Sequence, residues 1–208
     1  MSSSDQRKAH WQQIWTTKAT DKVSWFQDNP ALSLGLIAAT GLRRDAGIVD
    51  VGGGLSALAG ELVIRGHGNV AVLDIAEPAL VQSHDRLGAM GDDVAWICAD
   101  VLQWRPVPGL FELWHDRAVF HFLTTASEQQ VYVKVMKAAL VPGGWAIIAT
   151  FAPDGPETCS GLPVQPHDAA SLAAVLGPDF ALDREIAEDH QTPSGQVQKF
   201  RWCLFRRL

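Results

Sequence analysis

At 208 residues, with 47% apolar and 19% charged residues, the chain has the composition of an ordinary globular domain, which excludes an intrinsically disordered protein. A formal net charge of −6, with no run of basic residues longer than a pair such as Arg206-Arg207, argues against nucleic acid as a partner. No apolar run approaches the roughly 18 residues of a membrane span, no apolar h-region follows the N-terminal charges, and Cys98, Cys159 and Cys203 form no C-x-x-C pair. The expectation is a cytoplasmic protein, monomer or homodimer, that holds no metal.

Residues 1–46 read as an N-terminal helical cover of a single domain whose main body is residues 47–208. Trp11, Ile14 and Trp15 fall at i, i+3, i+4 on one helix, and Leu32, Leu36 and Ile37 mark a second. Val23-Ser-Trp-Phe-Gln lies between them as a loop, which makes Trp25 and Phe26 candidate lid residues; Trp11 and Trp15 read instead as staples that fasten the helices to the sheet. Ile48-Val-Asp-Val51 is a strand buried on both faces, and Gly52, Gly53 and Gly54 then allow a sharp turn and close approach of a ligand to the backbone. Leu55, Leu58, Ala59 and Leu62 place a helix directly after the glycines.

Asn69 to Asp74 is the second strand, Pro78 opens a helix through Leu87, Val94 to Asp100 is the third strand and Phe111 to Asp116 the fourth. Ser127 with Gln130 predicts a capping box for a helix bearing Tyr132, Met136 and Leu140. Pro142-Gly-Gly turns into a fifth strand, Trp145 to Phe151, and the proline-rich stretch from Ala152 to His167 reads as a loop in which Cys159 is incidental. Asp168 caps a helix through Leu176, and the alternation of Phe200, Trp202 and Leu204 after the turn at Thr192-Pro-Ser-Gly195 makes a hairpin with Phe180 to His190. The predicted fold is α/β: a doubly wound, mostly parallel seven-stranded sheet of Rossmann-like type with a C-terminal antiparallel hairpin.

A glycine turn between strand and helix is the usual floor of a nucleotide pocket, and Asp74, one βα unit further on, can accept from ribose hydroxyls. Gly52-x-Gly54-x-x-Ala57 with Asp74 also satisfies the dinucleotide fingerprint of an NAD(P)-dependent oxidoreductase. A second strand-ending acid at Asp100, the Pro-Gly-Gly ahead of strand five and the terminal hairpin speak against that reading. A catalytically silent cofactor-binding protein is a third possibility. Of the histidines, His121 after strand four is the best candidate general base, while His67 and His84 read as surface residues at helix ends.

Asp50-Val-Gly-Gly-Gly, Asp74, Ala99-Asp100, Leu140-Val-Pro-Gly-Gly and the hairpin together resemble the class I S-adenosylmethionine-dependent methyltransferases over residues 47–208. The N-terminal Trp-x-x-Ile-Trp, Val-Ser-Trp-Phe, Gly-Gly-Gly-Leu-Ser56 and Asp116-Arg117 are similar to the branch that holds the lysine methyltransferases of elongation factor 1A and of citrate synthase. That branch favours Asn where Leu55 stands and Asp-Lys where Asp116-Arg117 stands. The resemblance implies S-adenosylmethionine as cofactor, with Gly52, Gly53 and Gly54 against its methionine portion, Asp74 at the ribose, Asp100 and Val101 at the adenine, Ser56 and Ile75 also binding it, and Trp25 as cover. It implies catalytic positions at Asp116, over the methyl group, and at Arg117 and His121, and an acceptor that is a small molecule or a protein lysine.

Overall fold

The computed structural model describes residues 3–17 and 23–208. Residues 1, 2 and 18–22 of the expected N-terminal cover lie outside the described residues. Two helices, α1 (Ser3–Thr17) and α2 (Ala31–Ala39), precede the sheet; β1 (Ile48–Val51), α3 (Leu58–Ile64), β2 (Val70–Asp74), α4 (Glu77–Leu87), β3 (Val94–Cys98), β4 (Phe111–Arg117), α5 (Ala126–Ala139) and β5 (Leu140–Phe151) follow. A short ribbon of β6 (Thr158–Cys159) and β7 (Leu162–Pro163), α6 (Ala169–Leu176), β8 (Phe180–Gln191) and β9 (Val197–Arg207) complete the chain.

The main sheet has seven strands in the order β3-β2-β1-β4-β5-β9-β8. Strands β1 to β5 pair in parallel, and β9 runs antiparallel to both β5 and β8. Parallel strands need crossover connections that cover both faces, so each central strand is apolar on both sides. One face packs on α2, α3 and α4 through Leu36, Ile37, Leu58, Leu62 and Leu80. The other packs on α5 and α6 through Tyr132, Met136, Leu172 and Leu176. From β1 the order runs one way through β2 and β3, and from β4 the other way, which puts the topological switch point between β1 and β4 and a ligand crevice at their C-terminal ends. No helix among the described residues is long and apolar enough to cross a membrane.

Several local expectations shift. Helix α3 begins at Leu58 instead of directly after the glycines, because Ser56 N–H bonds back to Gly53 O at 2.7 Å and closes one more turn, with Leu55 buried inside it. The cap of α5 is Thr125, whose extended backbone lets its hydroxyl accept from Glu128 N–H and donate to the Glu128 carboxylate; Ser127 and Gln130 lie within the helix. Pro142-Gly-Gly does not precede β5 but lies in it, as an irregularity opposite Phe111 and Leu113. The proline-rich loop contains the β6–β7 ribbon, turned by Ser160 and Gly161 at positive φ. His67 is buried, not a surface residue, and Arg44 reaches its ring. Asp168 caps α6 as expected, and Ser171 completes a capping box with it.

Candidate active site

The turn after β1 uses each glycine for a different reason. Gly52 has φ +65°, and a Cβ built on it would lie 2.1 Å from the Val119 Cγ2 methyl. Gly53 faces the Asp50 carboxylate, which its Cβ would meet at 2.6 Å. Gly54, at φ +44°, sits beneath the Trp15 ring, 3.0 Å from where its Cβ would be. Gly52→Ala is therefore expected to destabilise the fold by about 1–3 kcal/mol, through a left-handed backbone and overpacking together, and urea denaturation would register it; a loss under half that range would mean that the loop bearing Val119 gives way easily.

Above this turn lies an open cleft with about 840 Å³ of non-atom space, its mouth included. Asp74, Ile75, Asp100 and Val101, the four positions expected at the ribose and adenine, all line one end of it. Asp74 accepts from Ala76 N–H at 2.8 Å and from the backbone of Gly54 and Ile75, and burial lifts its carboxyl to about 6 against these bonds. A carboxylate has about four acceptor sites, so capacity remains for a hydroxyl on the cleft side. Burial also acts to raise Asp100, but Ser4 at 2.6 Å, Arg7 at 2.9 Å and Leu102 N–H at 3.0 Å donate to it and hold it below the usual range. Arg7 donates in addition to Glu128 at 2.9 Å, so α1 is latched across the adenine end.

The tryptophans do more than staple. Trp11 and Trp15 line the cleft beside Trp25, which meets them edge to face at 6.0 and 5.8 Å, and Trp11 packs edge to face on Phe122 at 5.1 Å. Cys159, read as incidental, is buried in the wall of the same cleft. A smaller compartment joins it at Gly52, Trp15, Trp25 and Arg117 and contains Gly53, Ser56, Asp50, His115 and Ser33. Parallel register places Asp50 beside His115, whose Nδ1 lies 2.7 Å from the Asp50 carboxylate and whose Nε2 lies 3.0 Å from Ser33 Oγ; Ser56 Oγ donates to the same aspartate at 3.2 Å. This Ser33–His115–Asp50 chain escapes sequence reading because its members meet only through the β1–β4 pairing and the packing of α2.

Two of the three expected catalytic side chains are withdrawn from the cleft. Asp116 is completely buried and accepts from Val119 N–H at 2.9 Å, Phe120 N–H at 3.1 Å and the Tyr132 hydroxyl, which in turn accepts from Trp114 Nε1 at 2.7 Å. It clamps the turn after β4, where Ala118 holds φ +71°, and it lines neither compartment of the cleft. His121 is also completely buried, between Phe122 and Phe151, and Phe151 N–H donates to its Nδ1; burial, with Arg117 and His167 nearby, depresses it to about 3. The ring lines neither compartment of the cleft. Arg117 does line the cleft, and it pairs with neither Asp116 nor Glu112; its Nη1 donates to Trp25 O at 2.8 Å.

Residues 48–144 match the family model described as a methyltransferase domain. No curated protein matches the chain. Among solved structures, the chain is similar to one described for conversion of a disulfide bond into a thioacetal group during echinomycin biosynthesis, with TM-score 0.79, 17% identity and coverage of 97% of this chain and 93% of that one. It is similar to the Burkholderia thailandensis 1,6-didemethyltoxoflavin-N1-methyltransferase with bound 1,6-didemethyltoxoflavin and S-adenosylhomocysteine, with TM-score 0.72, 18% identity and coverage of 100% and 91%. It is similar also to the N-methyltransferase NodS of Bradyrhizobium japonicum in complex with S-adenosylhomocysteine, with TM-score 0.67, 15% identity and coverage of 94% and 97%. The cleft fits the same cofactor: a carboxylate at the ribose end, apolar walls, and charged groups at the far compartment where an amino-acid tail would end. Residues 48–144, from β1 to the start of β5, carry a methyltransferase domain, and the sheet around it, with the glycine turn at the switch point, has the fold of the class I S-adenosylmethionine-dependent methyltransferases.

Proposed function

We propose that this enzyme methylates a small molecule that enters between Trp11, Trp25 and Phe122, and that it does not act on a protein lysine. The observation that carries this reading is the orientation of Asp116. In the lysine-methylating branch that the sequence resembles, the corresponding acid is the group expected to receive the amine. Here it is buried under backbone N–H groups and Tyr132, so no carboxylate at the end of β4 can take up a lysine ammonium. The small-molecule acceptor named for the toxoflavin relative is consistent with this reading.

In this reading Asp74 accepts a ribose hydroxyl, Ile75 and Val101 sandwich the base, and Asp100 serves both the base and the latch to α1. Gly52, Gly53 and Gly54 admit the tail of the cofactor to the compartment where Asp50, held by His115 and Ser56, receives its ammonium. Trp25 covers the junction of the two compartments. When bound, the cofactor supplies a methyl on a sulfonium, which a nucleophile takes in line while the carbon–sulfur electron pair returns to sulfur. The protein's share is orientation and exclusion of water by the tryptophan wall; Asp116 and His121 hold the loop after β4 and transfer no proton.

Incubation of the enzyme and tritiated-methyl S-adenosylmethionine with a cell extract, followed by separation by molecular mass, tests the proposal. Label is expected in the low-mass fraction. A methylated protein band as the main product would reinstate the lysine reading.

A further inference from the structure

Arg117 is a buried cation with two guanidinium nitrogens left unpartnered. Its Nε and Nη2 are shut off from solvent without a hydrogen-bond partner, and its guanidinium lies 4.8 Å over the Phe200 ring. The acids whose charge reaches it are engaged elsewhere, Glu188 with Trp202 and Gln27 and Asp50 with His115 and Ser56, and the adjacent Asp116 bonds Tyr132. No ion pair to Arg117 within 4.0 Å is present among the described residues. A buried cation left in this state is costly, and a fold retains one where a ligand completes it. Desolvation accordingly lowers Arg117 to about 10.

Its position narrows what that ligand is. Arg117 lines both compartments at their junction, with Ala118 and Cys159 beside it in the larger one. The planar fork of a guanidinium matches a carboxylate with two parallel bonds, and Nε with Nη2 is the edge without a partner. Resting on the methyl-transfer reading above, we propose that the acceptor carries a carboxylate, set apart from the atom that is methylated, and that Arg117 receives it while the rest of the molecule lies against Trp11 and Phe122. Arg117 is then a specificity residue, and the anion it draws in also offsets the repulsion between the guanidinium and a sulfonium in the same cleft.

The competing source of a carboxylate is the cofactor's own tail, and the test separates the two. Binding of S-adenosylhomocysteine and of 5′-methylthioadenosine, which lacks that tail, is measured for the wild type, Arg117→Gln and Arg117→Met, alongside labelled-methyl transfer in cell extract. The expected result is a low-mass product retained by an anion exchanger at pH 7, at least tenfold less of it from Arg117→Gln, and a ratio of affinities for the two nucleosides that changes by less than about threefold. Arg117→Met is expected to melt no lower than the wild type without ligand, since it removes an unpaired buried charge. Selective loss of S-adenosylhomocysteine affinity would assign the guanidinium to the cofactor and overturn the proposal. A neutral or cationic product, or a melting temperature that falls by several degrees in Arg117→Met, would overturn it too. Failure of the wild type to bind S-adenosylhomocysteine would instead strike at the methyltransferase reading beneath it.

Discussion

Asp116→Ala is expected to cost the protein on the order of 4 kcal/mol of stability, enough to leave a typical domain of 5–15 kcal/mol barely folded. The substitution orphans Val119 N–H, Phe120 N–H and the Tyr132 hydroxyl inside a site closed to water, and each unsatisfied buried group costs about 1–3 kcal/mol. It also releases the turn in which Ala118 is held at positive φ, so Arg117 would lose its placement along with the fold. Urea denaturation gives the number directly. Cofactor binding that is lost while stability is unchanged would instead return Asp116 to the catalytic role that its strand-end position suggests.

The pH dependence of the same residue is a second readout. Burial raises the Asp116 carboxyl to about 6, above its unfolded value near 4. A group whose folded pKa is raised contributes stability below the unfolded pKa and loses it as pH rises through the folded one. Asn does not titrate. The melting temperature of Asp116→Asn relative to wild type should therefore become less unfavourable between about pH 4 and pH 7, although the variant sacrifices one acceptor at every pH.

Asp74→Asn should weaken S-adenosylhomocysteine binding by about 10- to 100-fold, the 1–3 kcal/mol attached to a buried hydrogen bond left imperfectly paired. Asn keeps one acceptor for the Ala76 N–H but presents an amide donor where the second oxygen was, and a ribose hydroxyl can no longer donate into a charge. Desolvation raises Asp74 to about 6, so in the wild type the carboxylate is protonated below that pH and affinity should rise as pH climbs from 5 to 7; the variant should show a flat profile. Calorimetry or thermal shift with S-adenosylhomocysteine measures both, and NADP should produce no shift. Equal affinity of wild type and variant across that range would remove Asp74 from the cofactor site.

Sequence alone determined the sheet and which strand-end residues line one end of the cleft, because both rest on local physics. Ile48, Val49 and Val51 are apolar without alternation, as a strand covered on both faces must be, and the three glycines behind them admit positive φ where no other residue does. Asp74 and Asp100 end β2 or follow β3, and strand ends in a doubly wound sheet arrive at the crevice wherever the helices lie. Which side chains face that crevice was decided by tertiary structure. Asp116 and His121 carry catalytic residue types in the right stretch, but the tight turn at Ala118 draws one carboxylate under its own backbone and the aromatic packing of Phe122 and Phe151 encloses the imidazole. Conversely Trp11, Trp15 and Cys159 looked like packing residues, and Ser33 and His115 were unconnected letters. They meet the site only because α1 is latched to Asp100, α2 packs over β1 and β4, and the β6–β7 ribbon folds back over the strand ends. Contacts of that kind span 65 residues from Asp50 to His115 and 82 from Ser33 to His115, distances over which no periodicity carries information.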